Sequence, residues 1–320
     1  MKAFPHFVLT PQFRIHAALL TVIALACTQI PLFNYLGFEF SALVAIVGGY
    51  SAGLLTISLA QRDATGTPLT KLYGPLAGTV LLLLAAPFVL ISLNAFLVRN
   101  CSFADGIMFF ALSPIPAFLF ASAVALVVLA LVQRWRKTMF TFIYALVLAH
   151  ILIVTILSPQ VFAFNPVIGF FPGITYDESM SVGGRLVLYR VTTFVAITVL
   201  VVFAEVVRRA RAGRVAIWNT MTRTESVVFG AGAVILLAAW LFSDSLSHSS
   251  SETSIRKELG GELITEHFVL VYPLSLEAEA VSALARDHEF YFAEIARQLR
   301  VLPPEKITSF LYASAGQKER

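Results

Sequence analysis

Residues Pro75 to Val98 read PLAGTVLLLLAAPFVLISLNAFLV, a run of 24 positions without one charged side chain. As a helix such a run is about 36 Å long at about 1.5 Å per residue. The hydrocarbon core of a bilayer is about 30 Å thick. Lipid offers no water to satisfy backbone N–H and C=O groups, so a run this long and this apolar takes the form of a transmembrane helix.

Working outward, six further apolar runs occupy about 15–33, 40–60, 107–133, 138–158, 186–207 and 226–243. The last is the shortest, at 18 residues, a mismatch that tilt or local thinning accommodates. The whole 320-residue chain is 58% hydrophobic and 13% charged, with a mean hydropathy of +0.81. Soluble domains average about 45–50% apolar and about 25% charged. These values exclude a soluble enzyme, a disordered chain and a disulfide-stapled secreted module. The two cysteines, Cys27 and Cys101, have no metal-like or CxxC spacing. The expected fold is an α-helical polytopic membrane protein of about seven transmembrane helices, followed by a small α/β C-terminal extracytoplasmic domain.

A net charge of +4 invites nucleic acid as a partner, but the position of the charges argues for no nucleic acid. Residues 1–243 carry 15 Lys/Arg against 7 Asp/Glu, whereas 244–320 carry 8 against 12. The basic excess sits in short loops, where it sets topology. With a cytoplasmic N-terminus, 12 basic residues fall on the cytoplasmic side: Lys2, Arg14, Arg62, Lys71, Arg134, Arg136, Lys137, Arg208, Arg209, Arg211, Arg214 and Arg223. Only Arg99, Arg185 and Arg190 fall on the other. The expectation is a multi-pass protein of the bacterial inner membrane, with the lipid bilayer as its partner and the C-terminus extracytoplasmic.

Residues 1–243 form the expected transmembrane domain. The segment Ser243-Asp-Ser-Leu-Ser-His-Ser-Ser-Ser-Glu-Thr-Ser254 is Ser-rich, and residues 244–258 read as a flexible linker. Residues 259–320 read as a β-α-β domain. The strand signal lies in Glu262–Tyr272, bounded by Gly260-Gly261 and Pro273. Ser275 can cap the next helix, which carries Val281, Leu284, Tyr291, Ile295 and Leu299 at near-helical spacing and runs to about Leu299. Lys306–Tyr312 is the second strand. Two strands and one helix make a marginal core, so this domain is expected to stop before it closes.

Chemistry-bearing residues are few. The loop Asn165-Pro-Val-Ile-Gly-Phe-Phe-Pro-Gly-Ile-Thr-Tyr-Asp177-Glu178 has turns fixed by Pro166, Pro172 and Gly173, and Phe170-Phe171 can dip into the interface. Asp177 and Glu178 precede Arg190, which lies about a turn inside the next helix, so a carboxylate paired with Arg190 is expected to pin this loop or to form part of a ligand site. His150 is the one ionisable group expected deep in the bilayer, as a neutral ring bonded to a neighbouring helix. Intramembrane ionisable groups are functional candidates by default. Gly49-Tyr-Ser-Ala-Gly53 is a small-xxx-small pattern that permits close helix approach. No catalytic residue and no metal ligand is assigned. His288-Glu289 begins like His-Glu-x-x-His, but Phe292 stands where the second imidazole belongs.

Three pieces of the tail form an ordered set: Glu266-His-Phe-Val-Leu-Val-Tyr-Pro273, Asp287-His-Glu-Phe-Tyr-Phe-Ala-Glu-Ile295, and Leu302-Pro-Pro-Glu-Lys-Ile-Thr308 continuing to Tyr312. The set resembles the opening β-α-β segment of gluzincin-type, peptidase MA-like zinc metallopeptidases. The resemblance covers about residues 262–320 and none of that family's zinc ligands or general base. It implies a membrane anchor carrying an extracytoplasmic metallopeptidase-like domain that is catalytically incomplete in these 320 residues. No cofactor is expected in this chain, zinc belonging to a longer protein. The alternatives are a transporter or permease-like subunit and a non-enzymatic scaffold or sensor with a protein partner at the outer loop and tail.

Overall fold

The computed structural model describes residues 7–62, 66–99, 102–157, 163–171, 182–246, 248–249, 251–300, 302–314 and 317. The chain divides into two compact units, one of Met1–Ile156 with Phe162–His248 and one of Leu157–Val161 with Ser249–Arg320.

The first unit is a helical bundle with a small hairpin. Its helices are α1 (Pro11–Cys27), α2 (Phe38–Ala60), α3 (Leu69–Asn94), α4 (Phe103–Leu131), α5 (Arg136–Leu157), α6 (Gly184–Gly213) and α7 (Arg223–Leu241). Six of them, α2 to α7, are long and apolar enough to cross a membrane, while α1 is an apolar helix of 17 residues. The sequence places the first run at 15–33, but the helix starts earlier and ends at Cys27. Thr10 caps it by accepting from the Phe13 N–H, Pro11 occupies the first turn, and Pro31 follows four residues after Cys27. Proline suits a first turn and disfavours helix just before it.

Helix α4 is central, packing on α2, α3 and α6. Ala117, Phe118, Ala121, Ala123, Ala125 and Leu126 are fully buried along it. Small residues let backbones approach, which is how helices associate where lipid is as apolar as leucine. The Thr56 hydroxyl lies 3.0 Å from the Ser122 hydroxyl and joins α2 to α4. Within α2 the stretch Val44–Gly48 is π-helical. The Tyr144 hydroxyl of α5 donates to the Ile46 carbonyl there, at 2.8 Å.

The small-xxx-small pattern accounts for this contact. A Cβ on Gly49 would lie 2.7 Å from the Tyr144 hydroxyl, and one on Gly53 would run into the Phe140 ring. The two glycines therefore seat the aromatic side chains of α5 within the same chain. At the other end of the bundle Glu205, 2% exposed, is compensated by the Leu69 N–H at 2.6 Å, Arg208 at 2.9 Å and Arg209 at 3.6 Å.

The second unit contains α8 (Glu252–Leu259), β3 (Gly260–Ile264), β4 (Phe268–Pro273), α9 (Ala278–Leu299) and β5 (Ile307–Phe310). Its sheet order is β3-β4-β5, with β3 antiparallel and β5 parallel to β4. One face buries Ile255, Leu259 and Val271; the other buries Phe268, Leu270 and Ala285.

Three sequence expectations change here. The stretch read as linker to residue 258 ends in a helix, because Ser251 and Ser254 cap each other's backbone N–H and Ile255 and Leu259 fall on one buried face. The single strand signal over 262–272 is a hairpin, split at Thr265–His267. Helix α9 begins after Glu277, with no side-chain cap from Ser275.

Candidate functional site

Between α5 and α6 the chain makes an antiparallel hairpin of β1 (Ala163–Asn165) and β2 (Gly169–Phe171), pairing Phe164 with Phe170. Asn165 is fully buried and organises its turn. Its side-chain oxygen accepts from the Val167 N–H at 2.8 Å, and its amide donates to the Val147 carbonyl of α5 at 2.7 Å. A short polar side chain bonding the backbone two residues on is the usual Asx turn. Gly169 follows with φ +104°, open to glycine but hardly to other residues. Phe170 stacks on Phe38 at 5.3 Å and meets Phe109 at 6.2 Å. The hairpin is therefore seated against the aromatic side chains of the bundle core.

Arg190 of α6 reaches this hairpin and is 1% exposed. Its Nη1 donates to the Pro166 carbonyl at 2.7 Å and its Nη2 to the Val167 carbonyl at 3.3 Å. Its Nε is buried without an acceptor. A Cβ added at Gly169 would stand 2.8 Å from Nη2. Beside it, His248 packs its ring 5.0 Å from Phe164 and 5.3 Å from Tyr189, with Nε2 3.2 Å from the Arg185 carbonyl. Burial lowers the His248 pKa; the backbone hydrogen bond opposes that and the Arg185 charge adds to it. The neutral ring, with Nε2 carrying the proton, suits this geometry.

Of the residues singled out from sequence, Arg190 is at this site. Asp177 and Glu178 lie outside the described residues. His150 stands on the exposed side of α5 rather than against a neighbouring helix. Asn165, Gly169 and His248 belong to the arrangement without having been singled out. The Asn-Pro step was the available signal for Asn165; His248, inside a serine-rich stretch, offered none.

In the second unit Glu289 of α9 accepts from the Thr265 hydroxyl at 2.5 Å, the His267 N–H at 2.9 Å and the His267 ring at 2.7 Å. Burial raises the Glu289 pKa, but these bonds outweigh it and hold the group down to about 2. His288 donates from Nδ1 to the Leu284 carbonyl at 2.8 Å, which leaves Nε2 to accept from the Ser309 hydroxyl at 3.1 Å. Both side chains tie helix to sheet. Among the described residues no three His, Cys, Asp or Glu side chains gather as a metal would require, and this donor set does not fit a zinc site. Phe268, Tyr291, Phe292, Ile295, Leu299 and Ile307 line an apolar groove of about 630 Å³ between α9 and β5.

No protein-family model matches the chain, and neither the curated proteins nor the solved structures contain one similar to it.

Proposed function

We propose that this chain is a multi-pass anchor of the bacterial inner membrane that displays a metallopeptidase-like α/β unit on the extracytoplasmic side. The observation that carries the reading is the division at His248/Ser249. On one side lie helices apolar enough to cross a membrane; on the other lies a sheet with a buried core on each face. The metallopeptidase-like reading rests on the resemblance of residues 262–320 to a β-α-β segment; β4, α9 and the parallel β5 follow that order, and β3 is a strand beyond it. Orientation rests on the basic loops.

Topology is tested with reporters fused after Ser249. Alkaline phosphatase is expected to be active there and green fluorescent protein dark; the reverse pattern removes the extracytoplasmic assignment. The 320-residue chain is expected to lack chelator-sensitive peptidase activity, because His288 and Glu289 are engaged in helix-to-sheet bonds and Phe292 replaces the second imidazole.

A second reading, a scaffold with a protein partner, is favoured by the apolar groove beside β5. Tyr291, Ile295 and Leu299 are largely exposed along it, and an exposed apolar groove is a place where a protein partner can dock. Site-specific crosslinking from Ile295 to a second polypeptide in cells distinguishes it from the anchor reading alone.

A further inference from the structure

His288 and Ser309 face each other between α9 and β5. Phe268 and Leu270 of β4 pack on Ala285 of α9. In the parallel ladder Ile307 lies beside Phe268 and Ser309 beside Leu270, so Ile307 and Ser309 also face α9. The Ser309 hydroxyl is 3.1 Å from His288 Nε2, and Nδ1 is 2.8 Å from the Leu284 carbonyl. A carbonyl only accepts, so Nδ1 carries the proton and the neutral ring turns its Nε2 lone pair toward the hydroxyl. The Phe268 ring, edge-on at 5.1 Å, holds the imidazole from the side. A hydroxyl bonded to an imidazole whose other nitrogen is oriented by a third group is the arrangement that activates a nucleophile.

Two features set this pair apart from a simple tie between helix and sheet. His288 lines the open groove of about 630 Å³, with Phe268, Phe292 and Ile307 among its apolar walls, a size that takes a small molecule. The sheet order leaves β5 at an edge. Ile307 and Leu311 donate to the His267 and Val271 carbonyls, so the Phe310 N–H, one position out of phase, points to the open edge. The N–H of the residue after a nucleophilic serine is a donor suited to the developing oxyanion.

We propose that Ser309 and His288 are the nucleophile and general base of a carboxylic-ester hydrolase site, with the acyl chain lying in the apolar groove. The Ser309 oxygen bonds to the ester carbonyl carbon as its proton passes to His288 Nε2. The carbon–alkoxy bond then breaks, and the alcohol leaves with that proton. Water attacks the acyl-serine, giving a proton to Nε2, and the acid leaves as the serine oxygen takes the proton back. The balance is ester and water to acid and alcohol. The Leu284 carbonyl is a positioning group. This activity is independent of the metallopeptidase-like reading.

The test gives the full chain, purified in detergent, p-nitrophenyl butyrate with and without EDTA, and in parallel a fluorophosphonate probe. Expected are p-nitrophenolate release above the protein-free blank, unchanged by EDTA, and a probe adduct on Ser309 in the peptide mass spectrum. Ser309→Ala and His288→Gln are each expected to lower hydrolysis by about 100-fold or more. Ser309→Cys keeps a nucleophile beside the imidazole and serves where the alanine variant does not fold; there, labelling moves from the fluorophosphonate to iodoacetamide. Absence of both hydrolysis and labelling, an adduct elsewhere than Ser309, or hydrolysis that EDTA abolishes overturns the proposal. The topology reporters after Ser249 read the anchor separately, so either reading can fail without the other.

Discussion

Helices α4 and α5 are almost equally apolar, yet α4 is the axis of the bundle and α5 its rim. The residues that α5 buries are Phe140, Tyr144 and Ile151, while α4 buries a continuous series including Ala117, Ala121, Ala125 and Val128. Helix α7 is more extreme, burying Gly232 alone. In water, apolarity would have drawn all three inward. A lipid surrounding has no such drive, and residue size and the few hydroxyls that bond across helices would then be what separates them. Alanine and serine supply half of the positions buried over Pro114–Leu131 of α4, whereas most leucines and isoleucines of α5 and α7 lie on the outside of the bundle.

This contrast can be broken at its strongest point first. Ala121→Phe in α4 is expected to cost about 3 kcal/mol or more of stability, or to prevent folding, because a fully buried methyl is replaced by a ring with nowhere to go. Thermal or detergent-induced unfolding reads the loss; a variant as stable as the parent would mean that α4 is not the packed centre.

Next in size is Gly53→Val, about 2 kcal/mol destabilising through collision with Phe140. Combined with Phe140→Ala it should cost clearly less than the sum of the two single changes, since one relieves the other. Strict additivity would separate α5 from α2.

In the second unit the balance is electrostatic. Glu289→Gln is expected to cost about 1 kcal/mol at neutral pH, a modest figure because the pair is partly exposed. The folded-state pKa of Glu289 lies below its ordinary value, so its contribution is full above about pH 4.5 and is lost as pH falls toward about 2. Hydrogen exchange of the β4 amides, corrected for intrinsic rate, should show the variant and parent converging over that window. Smallest of all, Ile235→Val in α7, at 49% exposure, is expected to stay within about 0.5 kcal/mol. A large effect there would place α7 against something other than lipid.

The helices were legible from sequence because hydropathy alone defines a span. Their irregularities were not. The π-helical turn at Val44–Gly48 meets Tyr144, nearly a hundred residues away in the chain, whose hydroxyl donates to the Ile46 carbonyl. The Gly49/Gly53 pattern announced close approach but not its partner, since any large side chain could fill the notch. In the tail, the apolar run within Glu262–Tyr272, bounded by Gly260-Gly261 and Pro273, suggested one strand, and the turn at Thr265–His267 was hidden because its stabilising acceptor, Glu289, lies on a later helix. Arg190 was conspicuous as a charge inside an apolar run. Its bonds to the carbonyls of Pro166 and Val167 could not be read, because backbone oxygens have no letter in the sequence.

The hairpin that Arg190 holds also has a place in time. The guanidinium follows Pro166 by 24 positions, so a chain emerging from its N-terminus exposes the hairpin before the helix that completes it. Until α6 arrives, the Pro166 and Val167 carbonyls lack the donors that seat them. The bundle formed by the earlier helices is therefore left with one unsealed end. Assembly of the hairpin closes by a side chain reaching back into a turn already made.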